Sequence, residues 1–160
     1  MKTLVVFYSL SRGNTKRIAE MAAEYLHADL DEIETVTPYS GSYEAIVDQG
    51  QSEVESGFMP EIRPLKHDLS DYERILIGTP TWWYTMAPAV LTFCKTENFR
   101  GKIFVPFQTH GGWKGHALKD IEENCVGAIV RNGMDIRFDS SGGEKMITPV
   151  GEVRLWLEKL

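Results

Sequence analysis

Residues 2–15 of the chain read KTLVVFYSLSRGNT, an apolar run that passes directly into a polar loop. The β-branched and aromatic residues of 2–8 predict a strand that is covered on both faces. Beyond the loop, apolar residues return at the spacing of one helix stripe: Ile18, Met21, Ala22 and Tyr25. This order of strand, short loop and helix is typical of the first unit of a parallel α/β sheet.

The same pattern recurs along the rest of the chain. Further strands are predicted at residues 31–36, 75–77, 103–107 and 134–138. Helices are predicted over the acidic stretch 43–55, after Pro88, through Ala117, Ile121, Cys125 and Ala128, and through Val153, Trp156, Leu157 and Leu160. Five strands alternating with helices predict one α/β domain, residues 1–160, built on a parallel sheet.

Composition excludes several classes of protein. The 160 residues are 42% apolar and 25% charged, which is ordinary for a globular domain, and no apolar run approaches the ~20 residues that span a bilayer. The net charge of −6 gives no basic footprint for nucleic acid. Cys94 and Cys125 lack the spacing of redox pairs or zinc sites, so we expect reduced core thiols in a cytoplasmic protein.

Three loops follow strands at the sheet edge where ligands of such folds bind. The first, residues 9–15, opens a helix, and helix N-termini with free N–H groups attract anions. Ser9, Ser11 and Thr15 add hydroxyl donors, and Gly13 allows close backbone approach. An ordinary helix cap at Asn14 or Ser11 is the alternative.

The other two loops are aromatic and glycine-rich. The second combines polar Thr79, Pro80 and Thr81 with three aromatics that cannot all face the core: Trp82, Trp83 and Tyr84. The third brings glycines and another aromatic to the same rim: Thr109, His110, Gly111, Gly112 and Trp113. We expect His110 to be a hydrogen-bonding rim residue rather than a proton donor. Phosphate cradle, aromatic walls and polar backbone together describe an FMN pocket.

Over its whole length the sequence resembles the flavodoxin family, on the motifs YSLSRGNT (8–15), IGTPTWW (77–83) and THGG (109–112). The resemblance implies a three-layer, flavodoxin-like sandwich with a five-stranded parallel sheet in the order 2-1-3-4-5. It also implies FMN bound by these three loops. The position of FMN at the switch point of flavodoxin is itself a known example of where such sheets bind ligands.

Two features depart from the family pattern. Arg12 stands where family phosphate loops place a hydroxyl residue, so it either pairs with the phosphate or points to solvent. The segment from Pro38 to Pro60 is longer than the connection in typical electron carriers and is similar to that of a subgroup of small flavodoxin-like proteins.

Two functions remain open. In the first, FMN accepts electrons from a reductase and passes them to another protein, and no catalytic residue is required. In the second, NAD(P)H reduces the bound FMN, which then reduces a quinone or another small acceptor. A phosphorylation receiver is excluded because Tyr8-Ser9 and Gly78-Thr79 stand where its acidic residues would be, and a small phosphatase because no cysteine lies near residues 9–15.

Overall fold

The computed structural model describes residues 1–10 and 13–160, so Ser11 and Arg12, two of the predicted binding residues, lie outside the described part. The strands are β1 (Thr3–Phe7), β2 (Asp29–Glu32), β3 (Arg74–Trp82), β4 (Thr85–Met86), β5 (Ile103–His110), β6 (Ile129–Val130) and β7 (Met134–Arg137). The helices are α1 (Asn14–Leu26), α2 (Tyr43–Ser56), α3 (Pro88–Thr96), α4 (Ala117–Asn124) and α5 (Val150–Glu158), with a 3-10 turn at Leu69–Asp71.

The strands build a mainly parallel sheet in the order β2-β1-β3-β5-β6, which confirms the predicted α/β class. This main path has the predicted five strands, and two short strands outside it, β4 and β7, make the observed order differ slightly from the predicted one. Strand β4 is an addition that pairs antiparallel with β3. The edge beside β5 is shared by β6 and β7, because the chain bends away at Asn132, whose φ of 52° is incompatible with a continuous strand.

Helices cover both faces of the sheet. Along β1, Leu4 and Val6 pack into one apolar layer with α3 and α4, whereas Val5 and Phe7 pack into the other with α1 and α5. Strand β1 is therefore buried on both faces, as its continuous apolar run predicts. Within the described residues, no helix has the length and apolar character needed to cross a membrane.

Several predicted boundaries need correction. Strand β2 starts at Asp29 and ends at Glu32, because Thr35 instead forms an antiparallel bridge with Ile62. Strands β3 and β5 run on into the predicted loops, since they pair with each other as far as Pro80 and Thr109.

The predicted helix stripes also shift at their ends. Helix α4 stops at Asn124, although Cys125 is buried just beyond it. On α1, Tyr25 is exposed, because the buried face of the helix includes Ala19 and Ala23 in its place. Both cysteines are free and buried, in agreement with the sequence.

Gly78 sits at the centre of the sheet, opposite Phe107 of β5. A Cβ atom built on Gly78 would lie only 2.3 Å from the Phe107 ring, so this position has no room for a side chain. Phe107 is fully buried and packs edge-on against Trp156 of α5, with ring centroids 5.7 Å apart. The absent side chain of Gly78 thus allows β3, β5 and α5 to pack together.

We predict that Gly78→Ala destabilises the protein by about 1–3 kcal/mol, because the added methyl overpacks the core. Gly151→Ala in α5 is the matched control, since no atom lies within 4 Å of its added Cβ, and it should be neutral or stabilising by up to ~1 kcal/mol. Urea unfolding measures both variants. Equal unfolding free energies of the two variants would show that Phe107 can move aside without destabilising the protein.

Candidate functional site

A cleft of about 550 Å³ opens at the carboxyl ends of β1, β3 and β5. It brings together most of the residues predicted from the three loops: Asn14, Thr15, Pro80, Thr81, Trp82, Trp83, Tyr84, Thr109, His110, Gly111 and Trp113. Four of the predicted residues do not line it: Ser9, Gly13, Thr79 and Gly112. The assignment of these residues to ligand binding stays a prediction.

One end of the cleft is the N-terminus of α1. The capping residue is Gly13, with a φ of 73°, and among the described residues no side chain caps the helix. The alternative that Asn14 acts as an ordinary cap is therefore wrong. Backbone N–H groups in the first turn are left for a ligand, and the helix dipole makes their surroundings positive.

Hydroxyl groups lie beside this helix end. The Oγ1 atoms of Thr15 and Thr109 are 2.8 Å apart and buried. Whichever hydroxyl accepts this bond keeps its own proton to donate elsewhere. The Oγ atom of Ser9 is also buried and has no hydrogen-bond partner among the described residues. Because an unpaired buried hydroxyl is unfavourable, these groups suit a ligand that accepts hydrogen bonds.

Trp82 forms a rigid wall of the cleft. Its indole packs edge-on against Tyr8 and Tyr39, with ring centroids 5.9 and 5.3 Å away. Helix α2 lies close because Gly50 has no side chain, and a Cβ there would be 3.3 Å from the indole. Tyr39 donates a 2.6 Å hydrogen bond to Glu53, a buried carboxylate of α2.

The two tyrosines behind Trp82 stay protonated over the ordinary pH range. Burial raises the pKa of Tyr39, and its hydrogen bond to Glu53 raises that pKa further. The pKa of Tyr8 is raised mainly by burial and secondarily by the negative charge of Glu53. The two tyrosines therefore add no charge to the wall behind the cleft.

The rim of the cleft is a tight turn. Trp82 pairs with Thr85 across Trp83 and Tyr84, both with positive φ, 48° and 70°. Two-residue hairpin turns of this kind favour glycine or asparagine, so two aromatic residues here are strained. At this turn Trp83 and Tyr84 are 42% and 55% exposed and lie at the cleft mouth.

A neighbouring loop holds this turn in place. The N–H of His116 donates a 2.8 Å hydrogen bond to the carbonyl oxygen of Tyr84, and Thr85 Oγ1 donates to Asp120. Gly115 packs so closely that an added Cβ would lie 2.1 Å from that same carbonyl oxygen. Trp113, in the same loop, is 68% exposed at the mouth.

His110 has two partners inside the protein. Its Nδ1 accepts the N–H of Gly112 at 3.0 Å, so the ring proton lies on Nε2, which is 3.0 Å from Asp135 Oδ1. Both ring nitrogens are thus engaged and the side chain is only 6% exposed, so His110 links the loop after β5 to β7. The hydroxyl of Thr79 is also engaged within the protein. It donates a hydrogen bond to the carbonyl oxygen of Pro80 and accepts one from the N–H of Ala87.

The glycines of the third loop make room for protein. A Cβ on Gly111 would lie 3.3 Å from the Cα of Ser140, and one on Gly112 would lie 3.3 Å from the Arg137 guanidinium. The space beside Gly111 is therefore filled by the segment after β7, and the space beside Gly112 by a side chain of β7 itself. A role of either glycine in ligand binding stays a prediction.

Two walls of the cleft were missed by sequence reasoning. One belongs to α2 and consists of Tyr43, Ile46, Val47 and Gly50. The other is the segment after β7: Phe138, Asp139, Ser140, Ser141 and Gly142. The unusual length of 38–60 was a signal for the first, and the Asp-Ser-Ser-Gly-Gly run after the last strand was a signal for the second.

We predict that Gly115→Ala displaces the Trp83–Tyr84 turn, because the new methyl collides with the Tyr84 backbone. Gly101→Ala is the control: its φ of 77° imposes similar left-handed strain, about 1–2 kcal/mol, with no neighbour within 4 Å. Near-ultraviolet circular dichroism, which reports tryptophan packing, should change only for Gly115→Ala, and its thermal midpoint should fall further. Identical spectra would mean that the turn tolerates the methyl.

Comparison with known proteins identifies the family of the chain. None of the curated proteins matches the chain. A flavoprotein from Lactobacillus acidophilus, solved in complex with FMN, is 27% identical over 84% of this chain and 91% of its own, with a TM-score of 0.71. A Bacteroides eggerthii protein classed as a flavoprotein is 25% identical over 99% and 96%, with a TM-score of 0.80. The family model for flavodoxin matches residues 2–148, and the chain therefore belongs to the flavodoxin family.

Proposed function

We propose that this protein binds one FMN in the cleft and transfers electrons through it to a partner protein. The observation that carries the proposal is the pairing, in one cleft, of tryptophan side chains with a helix N-terminus that no described side chain caps. The Lactobacillus relative, with FMN in its structure, supports the choice of ligand.

The residues present fit such a ligand at both ends. Phosphate oxygens can accept hydrogen bonds from the first-turn N–H groups of α1 and from the free proton of the Thr15–Thr109 pair. At the other end Trp82 offers a flat apolar surface held by Tyr8 and Tyr39. Bound FMN would supply the redox chemistry, and these side chains would hold it and exclude water.

The distribution of charge favours a protein as the redox partner. No Lys or Arg lies between Ile18 and Ile62, where 11 of the 23 acidic residues are found. Helix α2, one wall of the cleft, has four acidic residues and no basic one: Glu44, Asp48, Glu53 and Glu55. A field of one sign beside the cleft would steer a basic partner to it.

A nicotinamide-dependent oxidoreductase is the second candidate. The aromatic residues at the cleft mouth are exposed and leave it accessible to a small planar molecule. Reduction of bound FMN by NADH or NADPH alone, seen as loss of visible absorption without oxygen, would favour this enzyme over a carrier.

We predict that Thr15→Ala weakens FMN binding by ~1–3 kcal/mol, because it removes a hydroxyl from the phosphate end. The same substitution should weaken the binding of riboflavin, which lacks the phosphate, much less. Quenching of flavin fluorescence on titration into flavin-free protein measures both constants. Ser52→Ala, on the outer part of α2, is the control. Equal affinity of the wild-type protein for riboflavin and FMN would contradict the phosphate assignment.

We also predict that Glu44→Gln/Asp48→Asn slows electron transfer to cytochrome c, a basic one-electron acceptor, several-fold at low salt. The variant should also flatten the salt dependence of the rate, since it removes two charges beside the cleft. Stopped-flow mixing with reduced protein measures the rate. The matched control is Glu152→Gln/Glu158→Gln on α5, which does not line the cleft. Equal effects of both pairs would indicate net charge alone and not docking beside α2.

A further inference from the structure

A second pocket, of about 190 Å³, lies between α2, β4, α3 and α4. It shares structural elements with the cleft but uses other residues of them. Residues of α2 as far as Gly50 line the cleft, and residues from Glu53 onward line the second pocket. Thr85 of the second pocket directly follows Tyr84 of the cleft. A group seated in the second pocket is therefore adjacent to the turn at the cleft mouth.

The size and lining of the second pocket suit one side chain rather than a free ligand. Sites for drug-sized molecules usually have ~300–1,000 Å³, and the volume here lies below that range. Most of the lining is apolar: Val54, Phe58, Met86, Pro88 and Leu91. Phe58 is half exposed, so part of its ring is available to an incoming group. An unbranched apolar stem fits this lining.

The charge of the second pocket selects a cation. Glu53 and Asp120 line it, and none of the described lining residues is basic. Glu53 is buried, and its two carboxylate oxygens accept hydrogen bonds from Tyr39 at 2.6 Å and from Gln49 at 2.8 Å. Glu53 thus contributes negative charge, although its oxygens are already engaged.

Asp120 supplies an acceptor for the cation. Its Oδ2 atom accepts a hydrogen bond from Thr85 Oγ1 and contacts His116 Nδ1, whereas its Oδ1 atom has no partner among the residues that the structure describes. Asn124 lies one helical turn further along α4, and its side-chain nitrogen donates a 2.7 Å hydrogen bond to the backbone carbonyl oxygen of Asp120. The side-chain oxygen of Asn124 is left as a second acceptor.

An arginine side chain meets all of these requirements. It combines an apolar stem with a planar, positively charged head that carries several N–H donors and is more weakly hydrated than an ammonium group. The head also stacks on aromatic rings. Arginine is enriched at protein interfaces, where lysine is depleted.

We propose that the second pocket receives an arginine side chain of the redox partner, with its stem against Phe58 and Leu91 and its guanidinium group on Asp120. The inference rests on the proposed electron transfer to a protein and names the anchor by which that protein docks. Because the pocket adjoins the Trp83–Tyr84 turn, such an anchor would hold the partner beside the cleft mouth.

The test uses peptides of the form acetyl-Gly-Xaa-Gly-amide as probes, in which Xaa is arginine, lysine or citrulline. Citrulline has the stem and the planar shape of arginine without its charge. The peptides are titrated into the FMN-bound protein, and the methyl NMR signals of Val54, Met86 and Leu91 report occupancy of the pocket. We expect saturable shifts, with the arginine peptide bound at least about fivefold more tightly than either of the others.

Variants separate the pocket from the general charge of the protein. Asp120→Asn keeps an oxygen for Thr85 and should weaken the arginine peptide about fivefold and the citrulline peptide less than about twofold. Glu123→Gln removes the same charge from α4 outside the pocket and is the matched control, with an expected change below about twofold. Leu91→Phe, which narrows the pocket without a change of charge, should weaken both peptides.

The inference is wrong if the arginine and citrulline peptides bind equally, or if neither shifts the three methyl signals. Equal weakening by Asp120→Asn and Glu123→Gln would indicate general attraction and would also overturn it, as would tighter binding of the lysine peptide. Flavin binding is read separately by fluorescence. A protein that binds no flavin refutes the proposed function, whereas one that binds FMN but not the arginine peptide refutes only the docking anchor.

Discussion

The candidate site depends on the pairing of β3 with β5. The two strands stay in register from Arg74 opposite Ile103 to Pro80 opposite Thr109, beyond the point where the apolar core ends. Thr81 extends this connection, since its Oγ1 lies 2.9 Å from Gln108 Oε1 and 3.1 Å from the carbonyl oxygen of Thr109. The side chains of these strands that line the cleft are therefore held by the sheet, which fixes them more rigidly than a loop would.

The two ends of the cleft are stabilised in different ways. The end at α1 has first-turn N–H groups without a side-chain cap among the described residues, and its Thr15–Thr109 pair keeps one free hydroxyl proton, so a ligand would complete its hydrogen bonding. The aromatic end is held by protein contacts: Trp82 by Tyr8 and Tyr39, and the Trp83–Tyr84 turn by its neighbouring loop. A preorganised wall of this kind reduces the entropy that a planar ligand must lose on binding.

Sequence reasoning predicted the features that depend on local order. The order of strand, loop and helix in residues 2–26 and the exposure of Trp83 and Tyr84 follow from short motifs whose physical consequences are nearby. Features that depend on distant neighbours were not predictable. The partner of His110 is Asp135, 25 positions away, and Gly111 makes room for Ser140 across a similar separation. The extension of β3 through Pro80 likewise follows only from its pairing with β5.

The weak apolar anchoring of α2 has a consequence for how a ligand leaves. Only Gly50 and Glu53 of this helix are buried, and Glu53 is held by hydrogen bonds to Tyr39 and Gln49. The free energy for opening α2 locally should therefore be well below that for unfolding the sheet, and its amide protons should exchange first. Ligand exchange can then proceed through transient undocking of one cleft wall while β1, β3 and β5 remain folded.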